Sequence, residues 1–290
     1  MPIHSIQFFA PANPVCSDAG KWIRPLFPEF KLVSASDPQI WNGLHGTDFM
    51  RARELDFLKL PAPGTLYMGG RGGYGSMRAL NQWLEEGNVP VSGGVLCGFS
   101  DLTVFLNFLP QFGFSCWHGP LGTAPKALAL PEGNLAKSFR SLVENSRFQT
   151  PIQSSHTFKG WVIGGNLTVF LSLLGTKFEP DWKGKILLLE DIGESTYRLD
   201  RMFTQILSHR DFQNLAGILL GQFTDCAPQK GSGFNVSLED VCADFVSKSS
   251  VPVVQDIAVG HIEDMLTIPM DRDVTVLDGS IFWDAIPEKS

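Results

Sequence analysis

The chain has 290 residues, of which 43% are hydrophobic and 18% are charged. This balance is typical of a globular protein with enough apolar side chains for one large or two medium domains. The 30 acidic residues outnumber the 23 basic ones, and the formal net charge of -7 is spread along the chain. We therefore expect no nucleic-acid partner, because phosphate binding needs clustered lysine and arginine.

The cysteines and the N-terminal region indicate which cellular compartment the protein occupies. The five cysteines lack the CxxC spacing of a zinc or redox site, so we interpret them as reduced core thiols. They are Cys16, Cys97, Cys116, Cys226 and Cys242. No positively charged leader precedes the short apolar stretch at the N-terminus, and that stretch is far shorter than a membrane span. The sequence predicts a cytoplasmic protein without membrane contact.

In the first part of the chain, apolar segments typical of strands alternate with segments of helical periodicity. The predicted strands are 6–11, 65–70 and 90–98, and the predicted helices are 50–59, 76–86 and 101–109. This alternation indicates a parallel sheet covered by helices.

Regular patterning weakens in residues 121–156, where prolines recur, and we place an interdomain crossover there. The predicted division is therefore an N-terminal domain of residues 1–120, the crossover, and a C-terminal domain of residues 157–290. After the crossover, the predicted strands are 161–166, 185–190, 216–221, 253–257 and 274–277, and the predicted helices are 167–174 and 197–209.

Ser100 is a candidate nucleophile because Gly98-Phe99-Ser100-Asp101 lies where a buried strand turns into a helix. Such a turn lifts a hydroxyl clear of the sheet and points the first helical amides toward an oxyanion. A serine before a helix is also a common N-cap, so the tetrapeptide alone leaves both interpretations open.

Residues 69–75 form a glycine-rich loop that includes Arg71. The loop lacks the Gly-Lys-Ser/Thr of a Walker motif, and it could supply backbone donors to an anion or be a tight turn that needs positive φ. Arg71 is a candidate either for holding the loop or for meeting a substrate carboxylate.

Other candidate groups follow predicted strands or lie beside glycine. Glu190 and Asp191 end an apolar strand, where parallel-sheet proteins place reactive groups, although a solvated loop acid is the alternative. His261 follows Gly260, and a lone loop histidine commonly has no special role. His118 is a candidate substrate contact or a structural histidine. The histidines show no HxH or HExxH spacing, so we expect no metal site.

Eight short segments stand out along the chain. They are Arg71-Gly-Gly-Tyr-Gly-Ser-Met-Arg78, Gly98-Phe-Ser-Asp101, His118-Gly-Pro120, Gly164-Gly-Asn-Leu167, Leu173-Leu-Gly-Thr176, Leu189-Glu-Asp-Ile-Gly-Glu194, Tyr197-Arg-Leu-Asp-Arg-Met202 and Gly260-His261. These segments, in this order, resemble the LD-carboxypeptidase family of serine peptidases, which includes murein tetrapeptide carboxypeptidases and microcin C immunity peptidases. The resemblance covers roughly residues 6–277.

The resemblance implies a catalytic triad of Ser100 as nucleophile, Glu190 as orienting acid and His261 as general base. It also implies an oxyanion hole made by the backbone N–H groups of Gly73 and Asp101. Neither a metal nor an organic cofactor is expected, because the triad supplies nucleophile, base and donors.

The resemblance further implies an α/β fold, with a flavodoxin-like, class I amidotransferase-like parallel-sheet N-terminal domain and a smaller β-rich C-terminal domain. Family members are usually homodimers, so a homodimer is expected. The chain departs from the family pattern before the serine, where Phe99 replaces tyrosine, and after His261, where Ile262, Met265 and Asp271 replace glycine, asparagine and glycine.

The expected activity is hydrolysis of the L,D-peptide bond before a terminal D-amino acid in murein tetrapeptides. The alternative within the same chemistry is cleavage of the amide in microcin C-like peptidyl or aminoacyl nucleotides. A non-catalytic binding module that keeps the fold is the alternative from another class. A glutamine amidotransferase is disfavoured, because the turn holds serine and Cys97 lies inside the strand.

Overall fold

The computed structural model describes residues 2–123, 132–231 and 233–286, and it divides into two compact units. The first comprises the described residues of Met1–Phe148, Glu263–Asp271 and Asp284–Ser290, and the second comprises those of Gln149–Ile262 and Arg272–Trp283. Part of the predicted C-terminal domain therefore belongs to the first unit. The division into 1–120, 121–156 and 157–290 stays a prediction, and residues 124–131 of the crossover lie outside the described residues.

The described residues form strands joined by helices and short 3-10 turns. The strands are β1 (Ser5–Phe9), β2 (Lys31–Val33), β3 (Thr65–Gly69), β4 (Val95–Gly98), β5 (Ser115–His118), β6 (Phe148–Pro151), β7 (Phe158–Gly160), β8 (Val162–Asn166), β9 (Ile186–Ile192), β10 (Gly217–Thr224), β11 (Val253–Val254), β12 (Ile268–Pro269), β13 (Val274–Leu277) and β14 (Ser280–Trp283). The helices are α1 (Asp48–Arg53), α2 (Ser76–Glu85), α3 (Thr103–Phe108), α4 (Asn134–Val143), α5 (Leu167–Leu173), α6 (Thr196–Leu207) and α7 (Leu238–Lys248).

In the first unit, six of the described strands form one sheet in the order β12-β5-β4-β3-β1-β2. Strands β1 to β5 are parallel, and their order 2-1-3-4-5 is that of the flavodoxin-like fold. β12 adds to the edge in the antiparallel sense. Every residue of β3 is buried, as expected for a parallel strand covered on both faces.

In the second unit, described strands form a parallel sheet in the order β11-β10-β9-β8 and a second sheet in the order β6-β14-β13-β7. In the second sheet, β13 pairs antiparallel with both β14 and β7. The predicted fold class, a parallel α/β domain with a second, strand-rich domain, is confirmed.

Most predicted strands and helices are present, and the differences have local causes. The predicted helix 50–59 is α1 followed by a separate 3-10 turn at Asp56–Lys59, because Leu55, with ψ near 1°, leaves the α conformation. Strands β2 and β5 were not predicted, since each is only three or four residues long. α4 falls inside the predicted crossover. Among the described residues, none of the helices combines the length and the apolar composition of a membrane span.

Candidate active site

Ser100 follows β4 at a turn with strained backbone. Its φ is +61°, in the left-handed region that L-residues rarely adopt. A short 3-10 helix begins at Ser100 itself. A capping serine has β-region backbone instead, so this conformation favours the nucleophile elbow over the N-cap. The turn is so tight that a Cβ on Gly98 would lie only 2.6 Å from Leu102 Cδ2.

The glycine-rich loop after β3 lies directly against this serine. A Cβ built on Gly72 would be 3.3 Å from Ser100 Oγ, so glycine there permits the close approach. Gly73 has φ +114°, and a Cβ on it would lie 2.4 Å from the Asn13 side-chain amide carbon. The Tyr74 N–H donates to Asn13 Oδ1 at 3.4 Å. The loop thus passes close to the Ser100 hydroxyl, and Asn13 holds it there.

The Asp101 side chain supports the same loop. Its buried Oδ2 accepts a hydrogen bond from the Ser76 N–H at 2.8 Å, at the first residue of α2. Burial raises the pKa of Asp101, and hydrogen bonds from Ser76 and Gly75 oppose that rise. The carboxylate therefore joins the serine turn to the N-terminus of α2.

Glu190 and His261 form a hydrogen-bonded pair in the second unit. Glu190 lies near the end of β9 with no exposed surface, and its Oε2 is 2.9 Å from His261 Nδ1. Such a bond gives Nδ1 the proton, so Nε2 is the nitrogen that can accept one. Gly260 has φ +122°, and a Cβ on it would lie 3.1 Å from Glu190 Oε2. Glycine therefore lets the histidine loop pass close to the acid.

The neighbouring carboxylate, Asp191, has a different role. It accepts hydrogen bonds from the Asn166 side-chain amide at 2.8 Å and from the Thr168 N–H at 3.0 Å and hydroxyl at 2.8 Å. Burial raises the pKa of Asp191, and these bonds oppose the rise. Asp191 thus anchors the start of α5, leaving Glu190 as the acid beside the histidine.

His118 and Arg71 occupy contrasting positions. His118 is fully buried on β5, opposite Gly98 of β4, with its ring centre 5.9 Å from that of Phe99. This environment fits a structural histidine better than a substrate contact. Arg71 is exposed in the glycine-rich loop, where it could meet an anionic group.

The residues that depart from the family pattern also have defined surroundings. Met265 is buried, and Asp271 accepts a hydrogen bond from the Ser115 hydroxyl at 2.5 Å. Both belong to the first unit.

Cys97 is fully buried, and burial raises the pKa of its thiol well above the usual value, which disfavours a cysteine nucleophile.

The structure brings together Ser100 with the glycine-rich loop, and Glu190 with His261. Ser100 belongs to the first unit, whereas Glu190 and His261 belong to the second. The sequence indicated no role for Asn13, which accepts a hydrogen bond from the Tyr74 N–H, or for Arg51, whose Nη1 donates to the Gly75 carbonyl at 2.7 Å. Neither residue belongs to a motif of chemistry-bearing residues. Among the described residues, no three His, Cys, Asp or Glu side chains are grouped to hold a metal ion.

Two family models together match most of the chain. A family model described as the LD-carboxypeptidase N-terminal domain matches residues 6–119, and one described as the LD-carboxypeptidase C-terminal domain matches residues 159–276. The chain is 34% identical over 229 residues to the murein tetrapeptide carboxypeptidase of Pseudomonas aeruginosa, covering 73% of this chain and 72% of that protein.

Solved structures share the fold. Muramoyltetrapeptide carboxypeptidase from Oxalobacter formigenes superposes with a TM-score of 0.80 at 23% identity, covering 99% of this chain and 100% of that chain. MccF in complex with glutamyl sulfamoyl guanosine superposes with a TM-score of 0.78 at 21% identity, covering 100% and 98%.

Proposed function

The chain belongs to the LD-carboxypeptidase family and is a hydrolase of the serine peptidase class, and we propose that it removes the terminal D-amino acid from murein tetrapeptides in the cytoplasm. The observation that carries the proposal is the left-handed Ser100 beside the glycine-rich loop. The 34% identity to a murein tetrapeptide carboxypeptidase supports the choice of substrate.

In the proposed mechanism, Ser100 Oγ attacks the carbonyl carbon of the L,D-peptide bond while His261 Nε2 takes its proton. The Gly73 and Asp101 N–H groups donate to the oxyanion of the tetrahedral intermediate. His261 then protonates the leaving amine, which breaks the C–N bond, releases the D-amino acid and leaves an acyl-serine. Water, deprotonated by His261, attacks the ester and regenerates Ser100. Glu190 holds the histidine tautomer and stabilises the imidazolium.

The test is incubation with a murein tetrapeptide that ends in D-alanine and with its epimer that ends in L-alanine. We expect D-alanine release from the first peptide only, and none from either peptide with Ser100→Ala. Equal cleavage of both epimers, or D-alanine release by Ser100→Ala, would contradict the proposal.

The amide of a peptidyl or aminoacyl nucleotide suits the same catalytic groups, and the likeness to MccF makes it the second candidate. A sulfamoyl nucleotide analogue belongs in the same assay. Cleavage of the analogue without D-alanine release would make the nucleotide amide the substrate in place of the murein tetrapeptide. A folded protein that cleaves neither and whose Ser100 resists a fluorophosphonate would be a binding module.

Two further parts of the proposal concern the molecule in the cell. We expect a homodimer, as is usual in the family, and sedimentation velocity at micromolar concentration measures its mass. Cell fractionation with an antibody to the chain tests the cytoplasmic location.

A further inference from the structure

A single peptide unit after the glycine-rich loop is held at both ends by charged side chains. The Gly75 carbonyl accepts a hydrogen bond from Arg51 Nη1 at 2.7 Å. The N–H of the same peptide, which belongs to Ser76, donates to Asp101 Oδ2 at 2.8 Å. Because a peptide is planar, fixing both ends fixes its orientation, two residues after Gly73.

Arg51 is an unusual residue to find at this position. Its side chain is fully buried, and it also donates to the Pro11 carbonyl at 2.7 Å and the Gly46 carbonyl at 3.3 Å. Its remaining guanidinium nitrogen pairs with Asp48. A buried cation is costly unless its donors are all matched, and here it joins the loop after β1 to the loop after β3.

The glycine at position 75 fits this guanidinium. Gly75 has φ +113°, and a Cβ there would lie 2.3 Å from Arg51 Nη1. No L-side chain could take that backbone conformation without displacing the arginine. Gly75 therefore leaves the space in which the Arg51 contact forms.

We propose that Arg51 and the Asp101 carboxylate are positioning residues that clamp the Gly75–Ser76 peptide and so aim the Gly73 N–H at the oxyanion. The inference rests on the proposed function, since it assumes that Gly73 is a donor. Asp101 also follows Ser100, and its own N–H is the second proposed donor. One clamp thus sets both donors, which must be held to within about 0.5 Å.

The first test compares Arg51→Met with Arg53→Met. Arg53 lies on the same helix, but its guanidinium is partly exposed and pairs with Glu86 and Asp56 instead of the loop. The readout is the rate at which a fluorophosphonate labels Ser100, which needs the oxyanion donors but not the natural substrate. We expect labelling to slow by roughly 10- to 1000-fold in Arg51→Met, as for loss of an oxyanion donor, and to stay within about twofold in Arg53→Met.

Peptide hydrolysis supplies a kinetic signature. In Arg51→Met, kcat should fall in proportion to the labelling rate while KM stays within about threefold, because the donors act in the transition state. A loss of folded protein alone would lower the amplitude of fluorophosphonate labelling, which counts active sites, and would leave the labelling rate constant unchanged.

A double-mutant cycle tests whether Arg51 and Asp101 act through the same peptide. The labelling rate of Arg51→Met with Asp101→Ala should be no lower than that of the slower single variant, because either change frees the peptide. The effects of Arg53→Met and Asp101→Ala should multiply. Multiplicative effects in the first cycle would overturn the shared clamp.

Hydrogen exchange of residues 70–77 separates this inference from the proposed function. We expect faster amide exchange there in Arg51→Met than in Arg53→Met, whether or not the wild type hydrolyses peptides. Unreactive wild-type protein with that difference would retain the clamp and remove the proposed function. Wild-type labelling and exchange rates in folded Arg51→Met would overturn the clamp. If Arg51→Met does not fold, Arg51→Lys decides, since one ammonium cannot bond three carbonyls in a fork and labelling should still slow.

Discussion

At the scale of single residues, Ser100 combines the side chain of the proposed nucleophile with an unfavourable backbone conformation. Its φ of +61° strains the turn and lifts the side chain from the end of β4. In the proposed mechanism, this conformation would lower stability in order to present the nucleophile. That loss of stability can be measured by exchanging the side chain.

We expect Ser100→Gly to raise the free energy of unfolding by about 0.5–1 kcal/mol, because glycine adopts positive φ without a Cβ clash. Ser100→Ala keeps the Cβ and should not be stabilised, so it is the matched control. Both should lower turnover by on the order of 10⁴ to 10⁶. Denaturant titration measures the stabilities, and equal values for the two variants would show that the backbone is unstrained.

Glu190 and Asp191 are adjacent carboxylates with separate contacts, which makes them a matched pair. Glu190→Gln should lower turnover by roughly 10⁴, because the histidine loses its orientation and the imidazolium its partner. Asp191→Asn should mainly destabilise the start of α5. His261→Ala should be at least as damaging to turnover as Glu190→Gln. Steady-state kinetics and thermal unfolding of each variant separate the two effects, and a reversed order would move the acid to Asp191.

At the scale of secondary-structure elements, the candidate residues lie near strand ends. In the first unit, β3 ends at the glycine-rich loop and its parallel neighbour β4 ends just before Ser100, so the loop and the serine lie at the same edge of that sheet. In the second unit, β9 extends just past Glu190. Buried side chains that bond to a helix terminus, such as that of Asp101, then hold the loops that connect strands to helices.

His45 lies in the segment before α1 and predicts a pH dependence of stability. It is 2% exposed, its Nε2 is 3.2 Å from Ser36 Oγ, and burial lowers its pKa while the Glu54 carboxylate opposes that shift. Below about pH 6.5 the unfolded chain binds a proton that the folded chain resists, so His45 lowers stability as pH falls.

The expected result is a smaller drop in the unfolding midpoint between pH 7.5 and 5.5 for His45→Gln than for the wild type. His156→Gln, at an exposed histidine, is the control and should keep the wild-type drop. Differential scanning calorimetry at both pH values gives the midpoints. An identical drop in His45→Gln would show that His45 titrates alike in both states.

At the scale of the whole molecule, the proposed chemistry needs only groups that the chain itself supplies. Serine, histidine, glutamate and two backbone amides account for nucleophile, base, acid and oxyanion donors. We therefore expect hydrolysis at the wild-type rate after dialysis against a chelator. Loss of activity that a divalent cation restores would contradict this expectation. As a control for damage, the unfolding midpoint of the dialysed protein should be unchanged.

Fully buried strands such as β3 could be predicted from the sequence alone, because a parallel strand covered on both faces needs a continuous apolar run. The family and the candidates Ser100, Glu190 and His261 could also be predicted, because short motifs preserve residue types and order. The contact of Glu190, and not Asp191, with His261 is seen only in the folded chain, as is the peptide that Arg51 and Asp101 hold together. These contacts join residues 71, 24 and 25 positions apart, and no local periodicity encodes such pairings. They arise when strand order brings loop ends together, which is a property of the packed chain.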